Sequence, residues 1–558
     1  MFERHYSVWP EKVPKFLYLP QTSVYHNLAV SALRYPQRVA IHYYDSPITY
    51  AELDRQVTAM AGYLQHLGVQ AGDRVLLYMQ NSPQFIIGFY AILRANAVVV
   101  PVNPMNRTAE LEYLIGDTGA VAALCAQELF ECIEPHVGRT ALKHAVVTAY
   151  SEYLSQPTGL PLPEAVAAPL QPLTGIGLHT WAQALAAGHQ PGPVTAGPED
   201  LCVIPYSSGT TGNPKGCMHT HRSVMATAVY TPVWNSEQAS QVQLICLPMY
   251  HVTGMQSCLN SCIYVGGTAV LMTRWDRRVA LELIQRYQVT SWRNISTMVV
   301  DLLSAPELDR YDLGSLQGIG GGGAAMPAAI AAKLEQTSGL KYHEGYGLSE
   351  TMAATHINPP QAPKAQCLGI PITGVDSRVI DPDTGRELGP KETGEIVMNG
   401  AQVFRGYWNR PDATAEAFIE LEGKRFFRSG DLGYYDEEGY FFLVDRVKRM
   451  INASGLKVWP AEVESMMYAM PAVHEVCIIS SPDERRGETV KAVVVRKPGF
   501  EQTTAEDVMQ WCQGQMAAYK CPKLVEFVDA IPKSPTGKLM WRLLQEQERE
   551  RANTRGAA

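Results

Sequence analysis

Residues 206–216 read Tyr-Ser-Ser-Gly-Thr-Thr-Gly-Asn-Pro-Lys-Gly, with three glycines, four serine or threonine hydroxyls and one lysine in a short run. Glycine lets backbone N–H groups approach an anion closely, hydroxyls donate, and lysine adds a point charge, so the run suits a polyphosphate. It is not a Walker-type loop, which needs Gly, four residues, and then Gly-Lys-Ser/Thr. Gly209 and Gly212 stand too close together for that, and Lys215 is followed by Gly216. Further chemistry-bearing segments follow in order: Pro248-Met249-Tyr250-His251-Val252-Thr253-Gly254, the glycine-rich 320–327, Tyr346-Gly347-Leu348-Ser349-Glu350, Arg428-Ser429-Gly430-Asp431, the stretch 450–462, and Pro535-Thr536-Gly537-Lys538. Each alone has a bland reading. A lone histidine is more often packed, and a lone Glu or Lys at a turn is more often solvated. Their order and spacing together are specific.

The elements that must position these residues alternate. Residues 39–42 and 74–79 read as short buried strands. Residues 49–67 read as a helix with Thr49 as cap and Gly68 as stop, and 83–96 as a second helix feeding the apolar strand 97–102. This alternation predicts an open α/β sheet with helices on its faces. The Pro-, Ala- and Gly-rich stretch 151–200 reads as a surface excursion with one short helix near 179–187. An apolar strand at 201–205 leads into the phosphate loop, and another at 243–247 leads into the His251 segment. After about residue 385 the composition changes. Short strands are expected at 394–400, 426–431 and 440–444, followed by a compact α+β unit. The expected fold class is therefore α/β: a large N-terminal α/β domain of layered sheets and helices over 1–445, and a small mobile C-terminal α+β domain over 446–558. Asp445 is the expected hinge, because hinges absorb backbone rotation at element ends.

The 206–216 run and the segments after it resemble the signatures of the adenylate-forming enzymes, which include acyl-CoA synthetases, luciferases and peptide-synthetase adenylation domains. The resemblance covers nearly the whole chain and is strongest to bacterial fatty-acyl-CoA ligases. It implies that Ser207, Ser208, Gly209, Thr210, Thr211, Gly212 and Lys215 hold the phosphates of ATP. It implies that Gly323, Ala324, Ala325, Gly345, Tyr346 and Gly347 flank the adenine, with Tyr346 stacked on it. Ser349 is implied to donate to the α-phosphate, and Glu350 to hold Mg²⁺, a hard cation that prefers oxygen ligands. Asp431 is implied to bond the ribose hydroxyls, and Arg446 to reach ribose or phosphate. Met249, Tyr250, His251, Met255, Gly321 and Gly322 are implied to line the acyl pocket, with His251 gating the carboxylate and the path of the thiol. Ser454, Gly455 and Leu456 are implied to serve the thioester step, Lys457 to assist adenylation, and Lys538 to be the adenylation lysine. Thr211, His251, Glu350, Lys457 and Lys538 form the implied catalytic set. The chain departs from the family pattern at Ser429, where Thr is common, at Trp459, where Tyr is common, and at Ile295-Ser296-Thr297, where a proline is usual.

The reaction this implies is ATP-dependent activation of a carboxylic acid to an acyl-adenylate and then to an acyl-CoA thioester, with Mg²⁺ as cofactor and ATP and CoA as co-substrates. A medium- or long-chain fatty acid is the expected substrate. Aryl-, phenylpropanoid- and methylthiopropionate-CoA ligases share the motifs. Transfer of the acyl group to a separate carrier protein is a further alternative, since no carrier domain is expected after Lys538. Amino-acid adenylation enzymes usually carry an acid near the aromatic-His segment to pair with the ammonium. This chain has none there, and an unpaired ammonium in an apolar pocket is costly. A non-catalytic nucleotide sensor is disfavoured, because each expected functional position is occupied.

Bulk properties bound the rest. At 558 residues the chain exceeds one ordinary core. A net charge of −8 argues against a nucleic-acid partner. Eleven scattered cysteines without a C-x-x-C pair read as reduced thiols of a cytoplasmic protein. Residues 1–17 carry Glu3, Arg4, Glu11, Lys12 and Lys15 without an apolar core, so a signal peptide is not expected, and no transmembrane segment is expected either. The resemblance makes a homodimer the expected assembly.

Overall fold

The computed structural model describes residues 3–207, 214–322, 326–446, 449–453, 456–483, 487–533 and 539–556. The contacts divide the chain into two units, Met1–Ser377 with Met398–Phe427, and Arg378–Val397 with Arg428–Ala558.

The first unit is built on two large sheets. One orders its strands His219–Thr220, Leu201–Val203, Val98–Pro101, Arg74–Tyr78, Ala122–Ala126, His144–Thr148 and Leu178–Thr180. All its pairings are parallel except the first. The other has nine strands, with Val242–Ile245, Ser291–Asn294, Gly318–Gly322 and Tyr342–Leu348 adjacent and parallel. Continuous apolar strands such as Val98–Pro101 fit a parallel sheet buried on both faces.

The Thr49 cap acts as the sequence predicts, and a second cap stands at Ser82. The Thr49 hydroxyl accepts from Glu52 N–H and starts the helix Tyr50–His66. Ser82 does the same for Phe85 N–H, with Pro83 at the first helical position of Pro83–Arg94. That second helix is buried on nearly every side. Its Gln84 amide donates to the Ala149 carbonyl at 2.8 Å, and its Tyr90 hydroxyl donates to Asn260 at 2.7 Å.

Two expectations change. The stretch 151–200 is more than a surface excursion. It contains a second short helix, Glu164–Ala167, and returns to the sheet as the edge strand Leu178–Thr180 beside His144–Thr148. The Trp181 indole anchors that return by donating to Tyr153 Oη at 2.9 Å. The expected strand at 426–431 is the middle of one longer strand, Lys424–Tyr435. Gly430 takes φ +68 there without ending it. Ser429 bridges the irregularity: its hydroxyl donates to the Ile396 carbonyl at 2.6 Å and accepts from Asp431 N–H at 3.0 Å.

The second unit packs Val473–Asp483 and Gly487–Arg496 as a long antiparallel pair. Leu524–Phe527 lies parallel to the latter on its other side. The helices Pro460–Met467 and Ala505–Gln515 contribute Val463, Met467, Val508 and Cys512 to one core with Ile478, Ala492 and Val494. The helix Trp541–Gly556 is tied down by a buried ion pair, Lys491 with Glu548 at 2.5 Å.

Candidate active site

The 206–216 run emerges from a two-stranded stem. Tyr206–Ser207 pairs antiparallel with Lys215–Gly216, Ser207 opposite Lys215. Ser208, Gly209, Thr210, Thr211 and Gly212 lie outside the described residues. Lys215 leaves the stem with its ammonium 4.9 Å from the centre of the Tyr407 ring, a cation–π contact. The Tyr407 hydroxyl donates to Glu350 Oε1 at 2.9 Å. Burial first, and the Glu350 charge second, push this phenol well above its usual range, so it stays a donor. Lysine, aromatic ring and carboxylate thus stand in one chain of contacts.

Glu350 sits in the short helical turn Ser349–Thr351 that ends the strand Tyr342–Leu348. Its backbone carbonyl accepts from Phe404 N–H at 2.8 Å, and the Ser349 carbonyl accepts from His219 Nε2–H at 2.7 Å. Two distant segments therefore fix this turn through its backbone. Tyr346 is buried on the same strand, with its ring 5.6 Å from that of His356.

His219 is fully buried, and burial lowers its pKa to about 4. In the unfolded chain a histidine titrates near ~6.5. The unfolded state therefore takes up a proton first, and stability is lost as the pH falls from 6.5 towards 4. For this one group the loss is roughly 3 kcal/mol in full. We expect the urea midpoint of the His219→Gln variant to fall by less than that of the parent between pH 7 and pH 4.5. Equal falls would show that His219 does not carry this share of acid sensitivity.

The glycines of the two neighbouring strands are spacing devices. Gly321 and Gly322 lie opposite Glu344 and Gly345. A Cβ on Gly321 would stand 1.8 Å from the Asn294 carbonyl oxygen, and one on Gly347 would stand 1.7 Å from that of Ala353. Only glycine lets the backbones approach so closely at these positions. Gly323, Ala324 and Ala325 lie outside the described residues.

The His251 segment is held by Asn81, just before the capped helix Pro83–Arg94. Asn81 Oδ1 accepts from Met249 N–H at 2.8 Å, and its amide donates to the Leu247 carbonyl at 2.9 Å, a two-point imitation of strand pairing. Met249 and Met255 are fully buried, while Tyr250 and His251 are half-buried. His251 Nδ1 accepts from Thr253 N–H at 3.4 Å.

In the second unit Asp431 is almost fully buried and pairs in register with Arg446 across the strands Lys424–Tyr435 and Phe441–Arg446. The bend beside it is fixed by Glu395, which accepts from Gly430 N–H at 3.1 Å and from Arg428 at 2.5 Å. Asp445 accepts from Ala461 N–H at 2.7 Å, in the first turn of the helix Pro460–Met467, a favourable place for a carboxylate. Leu456 and Lys457 lie on the strand Leu456–Val458. Ser454, Gly455 and Lys538 lie outside the described residues. Lys533 and Leu539 form an isolated antiparallel bridge, so the chain on the two sides of 534–538 is drawn together.

Residues 28–408 match the family model for the AMP-binding enzyme, and residues 462–538 match that for the AMP-binding enzyme C-terminal domain. The chain belongs to the AMP-binding enzyme family. Within it, a long-chain-fatty-acid–CoA ligase of Bacillus subtilis (strain 168) is 33% identical over 550 residues, covering 97% of both chains. A feruloyl-CoA synthase of Amycolatopsis sp. is 31% identical over 507 residues, covering 90% of this chain and 95% of that one. The crystal structure of ATP-bound MatB from Rhodopseudomonas palustris superposes with a TM-score of 0.84 at 27% identity, covering 96% of this chain and all of that one. The fold is that of this family, and the chain is an AMP-binding enzyme of the acid–thiol ligase type.

Three residues of this AMP-binding enzyme that hold the site escaped the sequence reading: Asn81, His219 and Tyr407. Tyr407 follows a glycine and precedes Trp408, Asn409 and Arg410, an aromatic and polar cluster that could have drawn notice. Asn81 and His219 carry no such signal.

Proposed function

We propose that this chain joins a medium- or long-chain fatty acid to CoA at the expense of ATP, through an acyl-adenylate. The observation that carries this reading is the contact chain from Lys215 through Tyr407 to Glu350, set beside the stem of the 206–216 run. It occurs in a chain that aligns almost end to end with a long-chain-fatty-acid–CoA ligase.

A carboxylate is already ionised at neutral pH, because free carboxyls titrate near ~4. It needs no general base to attack the α-phosphate of ATP. It needs its charge and that of the triphosphate neutralised, and a stabilised pyrophosphate leaving group. Ser207, Ser208, Gly209, Thr210, Thr211, Gly212 and Lys215 bind the phosphates, and Lys538 adds its charge at the reacting centre. Gly323, Ala324, Ala325, Gly345, Tyr346 and Gly347 take the adenine, and Ser349 takes the α-phosphate. Asp431 takes the ribose, and Arg446 reaches ribose or phosphate. Glu350 fits Mg²⁺: it is a carboxylate oriented by a phenol, and this ion is commonly bound by one or two carboxylates plus substrate phosphates. When bound, the ion neutralises phosphate charge.

In the second step the thiol of CoA attacks the mixed anhydride and releases AMP. Near pH 7 only a few per cent of a thiol with pKa ~8.5 is thiolate, which suffices given its nucleophilicity. Ser454, Gly455 and Leu456 serve this step, and His251 gates the thiol path. Lys457 supports adenylation. The C-terminal part, 446–558, rotates about Asp445 between the two steps, exchanging Lys538 for Gly455. Met249, Tyr250, His251, Met255, Gly321 and Gly322 line the acyl pocket, whose buried methionines suit an alkyl chain. We place the enzyme in the cytoplasm as a homodimer. All eleven cysteines are free, and no helix among the described residues is long and apolar enough to cross a membrane.

One observation favours a second substrate class, an aryl acid: the feruloyl-CoA synthase aligns over 90% of this chain. The test is AMP release from ATP, with and without CoA, over acids from acetate to palmitate plus benzoate, cinnamate and several amino acids. CoA-dependent turnover peaking at a medium or long aliphatic acid is expected. A peak at cinnamate would move the substrate to the aryl class and keep the mechanism. Turnover that ignores CoA would transfer the acceptor role to a carrier protein.

A further inference from the structure

The stem of the phosphate run is gripped from outside by one helix, Thr108–Thr118, which no step above uses. At the entry, the Tyr206 hydroxyl donates to Asp117 Oδ2 at 2.6 Å. At the exit, the Tyr113 hydroxyl donates to the Pro214 carbonyl at 2.9 Å. Arg410 links the two grips: its Nη2 donates to Tyr113 Oη at 3.1 Å and lies 3.3 Å from Asp117 Oδ1. The backbone carbonyl of Asp117 accepts from the Trp408 indole at 2.9 Å and from the Asn409 amide at 3.0 Å. Trp408 N–H in turn donates to the Gly216 carbonyl at 2.8 Å, next to Lys215.

Tyr113 and Asp117 are one helical turn apart and so lie on the same face. The spacing of a rigid helix is thereby imposed on the two arms of the run. Asp117 is not a loosely solvated surface acid, for its side chain is 8% exposed. Burial, and then the hydrogen bond to Asp117, push the Tyr206 phenol far above its ordinary range, so it remains the donor in this bond. The same helix thus fixes the entry, the exit and, through Trp408, the base of Lys215.

We propose that Tyr113, Asp117, Tyr206 and Arg410 form a clamp of positioning residues. It sets the separation of the two arms of the phosphate run, and with it the affinity for ATP and the rate of adenylation, without touching substrate. This rests on the reading that residues 206–216 bind the ATP phosphates. Binding sites of this kind depend on supporting groups that hold the contacting ones to within a fraction of an ångström.

The test uses the full chain as Tyr206→Phe, Asp117→Asn and Asp117→Ala. Four quantities are read: KM for ATP, kcat for acyl-adenylate formation, thioester formation from supplied acyl-adenylate and CoA, and the melting temperature. Tyr206→Phe and Asp117→Ala should each raise KM for ATP by about tenfold or more, while thioester formation stays within about twofold of the parent. Asp117→Asn keeps an acceptor for Tyr206 and should recover part of the loss. Tyr206→Phe removes one hydroxyl only and keeps the test valid if Asp117→Ala fails to fold. Equal losses in both half-reactions, or a lowered melting temperature with KM for ATP unchanged, would overturn the clamp. A parent enzyme that forms no acyl-adenylate from ATP would overturn the underlying reading, and the clamp with it.

Discussion

Lys538→Ala lowers the rate of acyl-adenylate formation by a factor on the order of 10³ and leaves thioester formation from supplied acyl-adenylate nearly intact. The physical reason is the charge balance of the first step. A carboxylate approaches a triphosphate, and a preorganised cation in a water-poor site offsets a repulsion that solvent would otherwise have to screen; removing one such group typically costs about 10²–10³ in rate. The second step brings a thiol to a mixed anhydride and needs no cation at that position. Lys533 and Leu539 bridge each other, and the helix Trp541–Gly556 that follows is tied down by the Lys491–Glu548 ion pair. Single-turnover assays of each half-reaction check this. Equal loss in both would remove the two-conformation scheme and the hinge at Asp445 with it.

Gly347→Ala abolishes most ATP-dependent turnover and lowers stability, whereas Gly318→Ala on a strand of the same sheet does neither. At Gly347 an added methyl would stand 1.7 Å from the Ala353 carbonyl oxygen, part of an antiparallel backbone pair that cannot swing aside. At Gly318 nothing lies within 4 Å of the same methyl. Overpacking of this kind costs typically ~1–3 kcal/mol or more. The shift also falls on the flanking Tyr346 and Ser349, which the proposal above places at the nucleotide. A misplacement of about 1 Å at a reacting centre can cost on the order of 10²-fold in rate. Melting temperatures and pyrophosphate release for the two variants decide the matter. A Gly347→Ala enzyme as active and stable as Gly318→Ala would show that the strands are free to spread.

Features legible in the sequence are those whose cause is local. Thr49 and Ser82 cap their helices with hydroxyls three positions from their partners. The 206–216 run carries its own chemistry, and its stem closes where the strand signals end. The Glu350 turn follows its strand directly. What could not be read depends on partners far away in the chain. Tyr407 meets Glu350 across 57 positions, Asn81 meets Met249 across 168, and Tyr206 meets Asp117 across 89. None of these residue types is unusual enough to announce a partner, and only the tertiary fold supplies one. The edge strand Leu178–Thr180 escaped for a related reason: three residues carry too little periodicity to stand out from a Pro- and Gly-rich stretch. The strand expected at 426–431 runs on to Tyr435, because Ser429 and Glu395 satisfy the backbone around Gly430.

The central claim is that one chain performs two chemical steps through a bound acyl-adenylate. The most direct measurement is a rapid-quench experiment with ATP labelled at the α-phosphate and palmitate as the acid, first without CoA and then with CoA added. The account predicts that about one equivalent of labelled acyl-adenylate per active site builds up with pyrophosphate release, and that added CoA discharges it to labelled AMP and acyl-CoA. Labelled ADP in place of AMP, or AMP that forms only through hydrolysis and never through a CoA-dischargeable intermediate, would contradict it.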